Sequence, residues 1–280
     1  MYKFFLRLFL LVIIVVTSSI IFLSYFGIET DKFDSTIKEK ANEVNKNVKL
    51  EFNKTNIHLS PTELNLVVKL KNPRISIKND EINLSKLNLF LSIKSFFSSD
   101  FLLERAEVAF AKNHIKDLTK ITNIFVPKII NKQIDKIFVG GQIEGEFTIP
   151  FDIDGNIGNN YGFSGRILDA SINITKEFHI ENLTTEINHT RDNTANLFNI
   201  TIKRGSLLDF ELADSIFRLK RENSEIDVKS LMKINGKFNF SNVKKISSLL
   251  NLNLSNIEDI KGRGYLETNI DFKLNKKNRI

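Results

Sequence analysis

The chain has 280 residues, a formal net charge of +7 and 42% hydrophobic residues, enough for one or two domains with a sizeable core. It contains no cysteine, only 12 glycines and only 4 prolines, which excludes a disulfide scaffold, an iron–sulfur protein, a thiolate zinc site, a cysteine nucleophile and a collagen-like chain. Its 24 phenylalanines against 4 tyrosines and no tryptophan accompany abundant Lys, Asn and Ile, a compositional bias that carries no functional signal.

The first element is an uncharged apolar run from Leu8 to Phe26, in which Thr17, Ser18, Ser19 and Ser24 are the only strongly polar members. At about 1.5 Å per residue, a helix of this length spans the hydrocarbon core of a bilayer. Lys3 and Arg7 precede it, and Glu29, Asp31, Lys32 and Asp34 follow. The positive-inside rule therefore expects residues 1–27 to be a cytoplasmic stub and single-pass signal anchor, with the remainder exported. A cleaved signal peptide is the competing reading; Val16-Thr17-Ser18 is a poor cleavage site, and the apolar run continues past it. Without Lys3 and Arg7, the formal +7 falls to a diffuse +5 over the exported part. A spread excess is not the clustered patch of a nucleic-acid binder.

Residues 28–48 are polar, but Phe33, Ile37, Ala41, Val44 and Val48 recur at helical spacing, which predicts a membrane-proximal helix with one narrow apolar stripe. From Lys49 onward the period becomes two. Leu64, Leu66, Val68 and Leu70 alternate with Asn65, Val67 and Lys69; Ile75/Ile77 and Ile82/Leu84 follow; Leu87, Leu89, Leu91 and Ile93 alternate with Asn88, Phe90 and Ser92. Asn72-Pro73 and 78–81 read as turns, so the expectation is an antiparallel meander with one apolar face. Asp117–Ile137 returns to helical spacing, with a break or kink expected at Pro127. Strands resume at Phe147, Ile149, Phe151 and Ile153. They continue through Ile172/Ile174, Phe178/Ile180, Ile200/Ile202, Phe210/Leu212, Phe217/Leu219, Ile226/Val228 and Phe238/Phe240 to Ile270/Phe272/Leu274. Ser241–Leu250 is expected to be a short helix capped by Ser241 or Asn242.

No catalytic constellation emerges. His58, His114, His179 and His189 show no metal-binding spacing and read as strand-surface or loop residues. Asp152-x-Asp154-x-Asn156 begins like a calcium loop but has Ile157 and Phe163 where such a loop needs Gly and Glu, so it reads as a turn. Gly155, Gly158, Gly162 and Gly165 lack the Gly-Lys-Ser/Thr of a phosphate loop and read as strand, loop, strand. Ser164 is one residue short of a nucleophile elbow. No metal or cofactor is called for, and a membrane-tethered enzyme is the least favoured class.

The segment Val48–Phe97 resembles the opening of the AsmA-like superfamily, which includes the YhdP and TamB types. The resemblance rests on Leu70-Lys71-Asn72-Pro73-Arg74-Ile75 and on Ser85-Lys86-Leu87-Asn88-Leu89-Phe90-Leu91-Ser92-Ile93-Lys94-Ser95-Phe96-Phe97. Tyr161–Phe240 is similar to the YhdP-type continuation, notably at 163–166 and 178–183. The likeness is one of pattern over nearly the whole chain, without an invariant motif. It implies a mainly β fold, in which a transmembrane helix leads into an elongated, curved antiparallel sheet, a β-groove, with a few short helices. It further implies a Gram-negative inner-membrane anchor, a periplasmic bulk, kinship with bridge-like lipid-transfer proteins and phospholipid as the partner. Residues 49–280 would then be the groove segment of a longer protein, continued by outer-membrane or periplasmic partners.

On that reading the groove lining is Leu64, Leu66, Val68, Leu70, Leu87, Leu89, Leu91, Ile93, Phe147, Ile149, Phe151, Ile172, Ile174, Ile200, Ile202, Phe238, Phe240, Ile270 and Phe272. The same alternation fills the core of an ordinary β-sandwich equally well. A second functional expectation is an envelope scaffold or outer-membrane protein assembly factor that pairs strands with its partners. About fourteen strands at roughly 4.8 Å make a ladder on the order of 70 Å, too short to bridge two membranes alone.

Overall fold

The computed structural model describes residues 2–44, 48–77, 80–97, 101–117, 136–175, 178–191, 194–222, 225–249 and 259–274. Most of the kinked helix expected over Asp117–Ile137 lies outside these. The fold is mainly β, as expected: one N-terminal apolar helix, a large curved antiparallel sheet that does not close as a barrel, and a few short helices. The chain divides into two compact units, Met1–Ala111 with Glu146–Asn159, and Lys112–Gly145 with Asn160–Ile280.

In the first unit, helix α1 (Tyr2–Tyr25) is 24 residues long and has no buried residue. A helix that is apolar all round and uncovered by protein needs lipid around it. Among the described residues it is the one helix with the length and apolarity of a membrane span or signal segment. Two of its hydroxyls are satisfied internally: Ser19 Oγ donates to the Val15 carbonyl at 2.8 Å and Ser24 Oγ to that of Ile20 at 2.7 Å. Gly27, at φ +68°, turns the chain out of α1; a side chain there would collide with Asn56 and the Ile57 carbonyl.

The next residues form a strand rather than the start of a helix. Strand β1 (Ile28–Thr30) pairs with β3 (Lys54–Ser60), so the end of α1 is tied directly to the sheet. Helix α2 (Asp34–Val44) follows, and then β2 (Val48–Glu51), β4 (Asn65–Lys71), β5 (Arg74–Ile77), β6 (Asp80–Ser92), α3 (Lys94–Phe97) and β7 (Leu103–His114). The order β1-β3-β4-β6-β7 is antiparallel; β5 pairs against the first part of β6, and β2 pairs with β5. The two apolar pieces Ile82/Leu84 and Leu87–Leu91 are one strand, not two. A bulge between Leu84 and Lys86 lets both pieces stay buried although the apolar positions change from even to odd.

Strand β8 (Phe138–Pro150) contributes 138–145 to the second unit. There it neighbours β9 (Gly162–Asn173), which pairs with β10 (His179–Arg191) and through it with β11 (Ala195–Leu207). Two strands, β12 (Phe210–Leu212) and β13 (Ser215–Glu222), share the far edge of β11, and both pair with β14 (Glu225–Asn239). Helix α4 (Phe240–Leu249) leads to β15 (Lys261–Leu274), which pairs with β14 along its whole length. Asp169 and Asn182, at φ +49° and +51°, sit at matching register shifts in β9 and β10, and such bulges bend strands. The cap of α4 is Asn239, whose Oδ1 accepts the Asn242 backbone N–H at 2.8 Å, ahead of the expected Ser241 or Asn242.

Candidate functional site

Pairing register sorts the side chains of each unit onto two faces. In the first unit one face carries the rows Ile57–Val68–Leu89–Ala106 and Leu59–Leu66–Leu91. These residues are packed shut: Val68 and Leu91 are both 0% exposed, and Leu66, Leu70, Leu87 and Leu89 are buried. Helix α2 closes this face, with Phe33 and Ile37 buried and the Asp34 carboxylate hydrogen-bonded to the hydroxyl of Thr55, which lies in the row of Leu70.

The opposite face of the first unit is mixed: His58, Val67 and Phe90 are buried on it, and charged pairs surround them. The Glu29 carboxylate accepts from Lys54 Nζ at 2.8 Å and from Lys71 Nζ at 2.7 Å; these two hydrogen bonds hold its pKa at about 2. Lys86 sits between Glu107 at 2.9 Å and Glu146 at 2.6 Å; burial opposes its charge, but the two carboxylates outweigh it and raise its pKa. Arg105 lies over the Phe90 ring at 3.8 Å and reaches Glu63 at 3.0 Å.

The second unit has the same division but a different degree of closure. Ile167, Ala170, Leu183, Ile202 and Leu212 form a buried cluster with Ile115, and Ile143, Ile172, Ile187, Phe217 and Ile234 are only partly buried against it. From the edge of this cluster two rows run across five strands: Ile187–Ile200–Phe217–Ser230–Ile270, which includes Ile187 and Phe217 of the cluster's rim, and His189–Phe198–Leu219–Val228–Phe272. They open toward β15, where Ile270 is 39% and Phe272 43% exposed. The reverse face carries cross-strand ion pairs, Glu144 with Arg166, Lys203 with Glu186 at 3.0 Å and Arg204 with Asp169 at 2.5 Å. Alternation has thus produced one apolar wall and one wet wall from a single sheet.

The expected lining residues scatter among these environments. Leu66, Val68, Leu70, Leu87, Leu89 and Leu91 fill the closed face of the first unit. Leu64 departs from the strand pattern: it ends the β3–β4 turn at φ +54° and is 71% exposed. Ile93 follows β6 and is exposed; Phe147 is exposed on β8, Ile149 half-buried, and Phe151 stands just beyond the strand. In the second unit Ile172 and Ile200 are half-buried, Ile202 is buried, and Ile174 lies past the end of β9, exposed. Phe238 is on β14, whereas Phe240 opens α4 instead of continuing the strand. Ile270 and Phe272 share the open rows. Lys3 and Arg7 are exposed on the first turns of α1.

Two histidines differ from expectation. His58 and His189 lie on strands but are buried, His58 with Nδ1 3.3 Å from the Ser24 carbonyl and its pKa pulled down by burial. His189 stacks on Phe198 at 4.2 Å. Asp152 does form a turn, its carboxylate accepting the backbone N–H of Asn156 at 2.8 Å and of Asp154 at 3.0 Å. Gly165 has a packing reason: a side chain there would strike the Phe163 ring and the Glu144 carbonyl. Ile187 and Phe198, which the sequence reading did not name, and His189 and Val228, which it named but did not count as lining, join these rows only through register.

No family model, curated protein or solved structure matches the chain.

Proposed function

We propose that this is an inner-membrane-anchored protein whose exported part offers an apolar sheet face to phospholipid acyl chains and so contributes to lipid movement between the inner and outer membranes. The observation that carries the reading is the pair of rows across β10, β11, β13, β14 and β15, apolar except at His189 and Ser230 and open on one side, in a chain that also begins with a lipid-requiring helix. Each methylene kept from water is worth about 0.8 kcal/mol, so a whole acyl chain gains on the order of 10 kcal/mol from such a surface. Contacts of this kind are non-directional, which lets a chain slide along the rows. The lining belongs to the second unit; in the first, the apolar face is occupied by the protein's own side chains. Lys3 and Arg7 favour a cytoplasmic N-terminus and a periplasmic bulk.

Lipid extraction and mass spectrometry of the detergent-purified protein test this reading, together with a photo-reactive residue placed at Ile270 or Phe272. Phospholipid adducts at those positions, and none at a probe placed at Lys229 on the wet face, are expected. Lipid-free protein without adducts refutes it. A second reading, scaffolding by strand pairing, draws on β15, a 14-residue strand bonded to β14 on one edge. It expects protein adducts from β15 in whole cells in place of lipid adducts.

A further inference from the structure

The open face of the second unit ends in a cationic row. Along β10 the inward residues run Ile187, His189, Arg191; along β11 they run Ile200, Phe198, Asn196; along β13 they run Phe217, Leu219, Arg221. Arg191 pairs with Asn196, and Asn196 with Arg221, so two guanidinium side chains flank an amide on neighbouring strands, roughly 10 Å apart at their Cα atoms. Arg191 is aimed by Tyr161, donating from Nη1 to the phenol oxygen at 3.0 Å with its guanidinium carbon 5.1 Å from the ring centre. Arg221 is exposed. The described carboxylates of these strand ends, Glu222 and Glu225, are on the opposite face, where Glu222 binds Lys220 at 2.7 Å. Asp192 is the next residue after Arg191 in the sequence.

A second feature points the same way. His189, one row in from the arginines, is 7% exposed, and its Nε2 has no hydrogen-bond partner among the described residues. Its ring lies between Tyr161 at 5.4 Å and Phe198 at 4.2 Å. A buried polar atom without a partner is costly, so a ligand that supplies a hydrogen-bonding group there is favoured.

Resting on the lipid-binding reading above, we propose that Arg191, Asn196 and Arg221 form the headgroup site of that face and hold the phosphate of an anionic phospholipid whose acyl chain lies over Ile187, Ile200 and Phe217. Paired guanidinium groups suit a phosphate diester, which they meet with charge-assisted, bidentate hydrogen bonds. At about 3.3 Å per residue, the Ile187–Ile200–Phe217 row is about 13 Å from the arginine row, close to the roughly 15 Å of one leaflet's hydrocarbon. Charge at one end and apolar surface beyond it define an amphiphile rather than a free anion.

The test uses the full chain in detergent and two photo-reactive lipids with the same acyl chains, phosphatidylglycerol and diacylglycerol. Wild type is expected to give phosphatidylglycerol adducts on the β11 and β13 peptides. Arg191→Gln/Arg221→Gln should lower that yield at least tenfold and leave the diacylglycerol yield unchanged. Arg221→Gln alone, at an exposed position, should lower it severalfold with unchanged hydrogen-exchange protection. Equal labelling of wild type and variants by phosphatidylglycerol overturns the headgroup site while leaving the groove intact. Absence of labelling by both lipids overturns the groove reading itself. Inorganic phosphate protecting the arginines from a guanidine-modifying reagent, with no phosphatidylglycerol adduct, overturns the amphiphile in favour of a free anion.

Discussion

Replacing Leu91 with alanine separates a filled face from an open one. Leu91 is fully buried and stands in the row of Leu66, with Leu103 opposite on β7. Leu91→Ala removes three carbons; at about 0.8 kcal/mol each that is roughly 2.4 kcal/mol, and an incompletely collapsed cavity raises it to about 3–4 kcal/mol. In a chain without tryptophan the natural assay is native-state hydrogen exchange read by mass spectrometry. A loss of 3 kcal/mol corresponds to roughly a hundredfold faster exchange of β4 and β6 amides that open with the unit. The same substitution at Leu64, 71% exposed, should leave those amides within about threefold of wild type, since a surface change costs within ~0.5 kcal/mol. If Leu91→Ala speeds exchange less than tenfold, the face is not closed as described and an acyl chain could reach it.

Leu64→Gly should stabilise the β3–β4 turn by about 1 kcal/mol, because the left-handed backbone at φ +54° penalises a β-carbon and the exposed side chain returns little; urea unfolding measures it. Glu29 titrates from 4.5 in the unfolded chain to about 2 in the fold, so its clamp on Lys54 and Lys71 is complete above pH 4.5 and is lost as pH falls toward 2. Exchange at β1 should rise over that window in wild type and stay flat in Glu29→Gln, and carbon NMR of the Glu29 carboxyl should give the low pKa directly. Gly165→Ala should loosen β8 from β9 by about 1–3 kcal/mol in exchange experiments, and Phe163→Ala should not restore it, because the new β-carbon also meets the Glu144 carbonyl. Asn239→Ala removes the cap of α4 and should cost about 1 kcal/mol, visible as fraying of that helix's first turn by exchange.

Several of the structural differences share one physical cause. Period two reports a strand only while its face stays constant. Ile82 and Leu84 occupy even positions and Leu87, Leu89 and Leu91 odd ones, so the pattern reads as two strands; the bulge between Leu84 and Lys86 makes them one. The same switch separates Ile167 from Ala170 and Ile172 at Asp169, and Ile180 from Leu183 at Asn182. A change of parity inside an apolar run was therefore a legible sign of a bulge. Leu64 and Phe240 extended alternating runs by one step too far, into a turn and into a helix, because periodicity does not say where a strand ends. Asn239 rather than Ser241 caps α4 because the helix begins at Phe240, an apolar residue that alternation had assigned to β14.

The amino-acid sequence alone determined the apolar helix, the change from helical to alternating spacing, the predominance of antiparallel strands and the turn at Asp152–Asn156, since each is a local matter of length, period or side-chain chemistry. Tertiary structure decided which apolar surfaces are free. Whether a strand face is covered depends on distant segments: Phe33, just before α2, and Ile37 on α2 are buried, and Asp34 is tied to Thr55 on the face that holds Val68 and Leu91, whereas the rows ending at Ile270 and Phe272 stay partly open. Register decided the rest. It places Arg191 two strands from Arg221 and brings His189 against Phe198, pairings between residues far apart in sequence that no local pattern encodes.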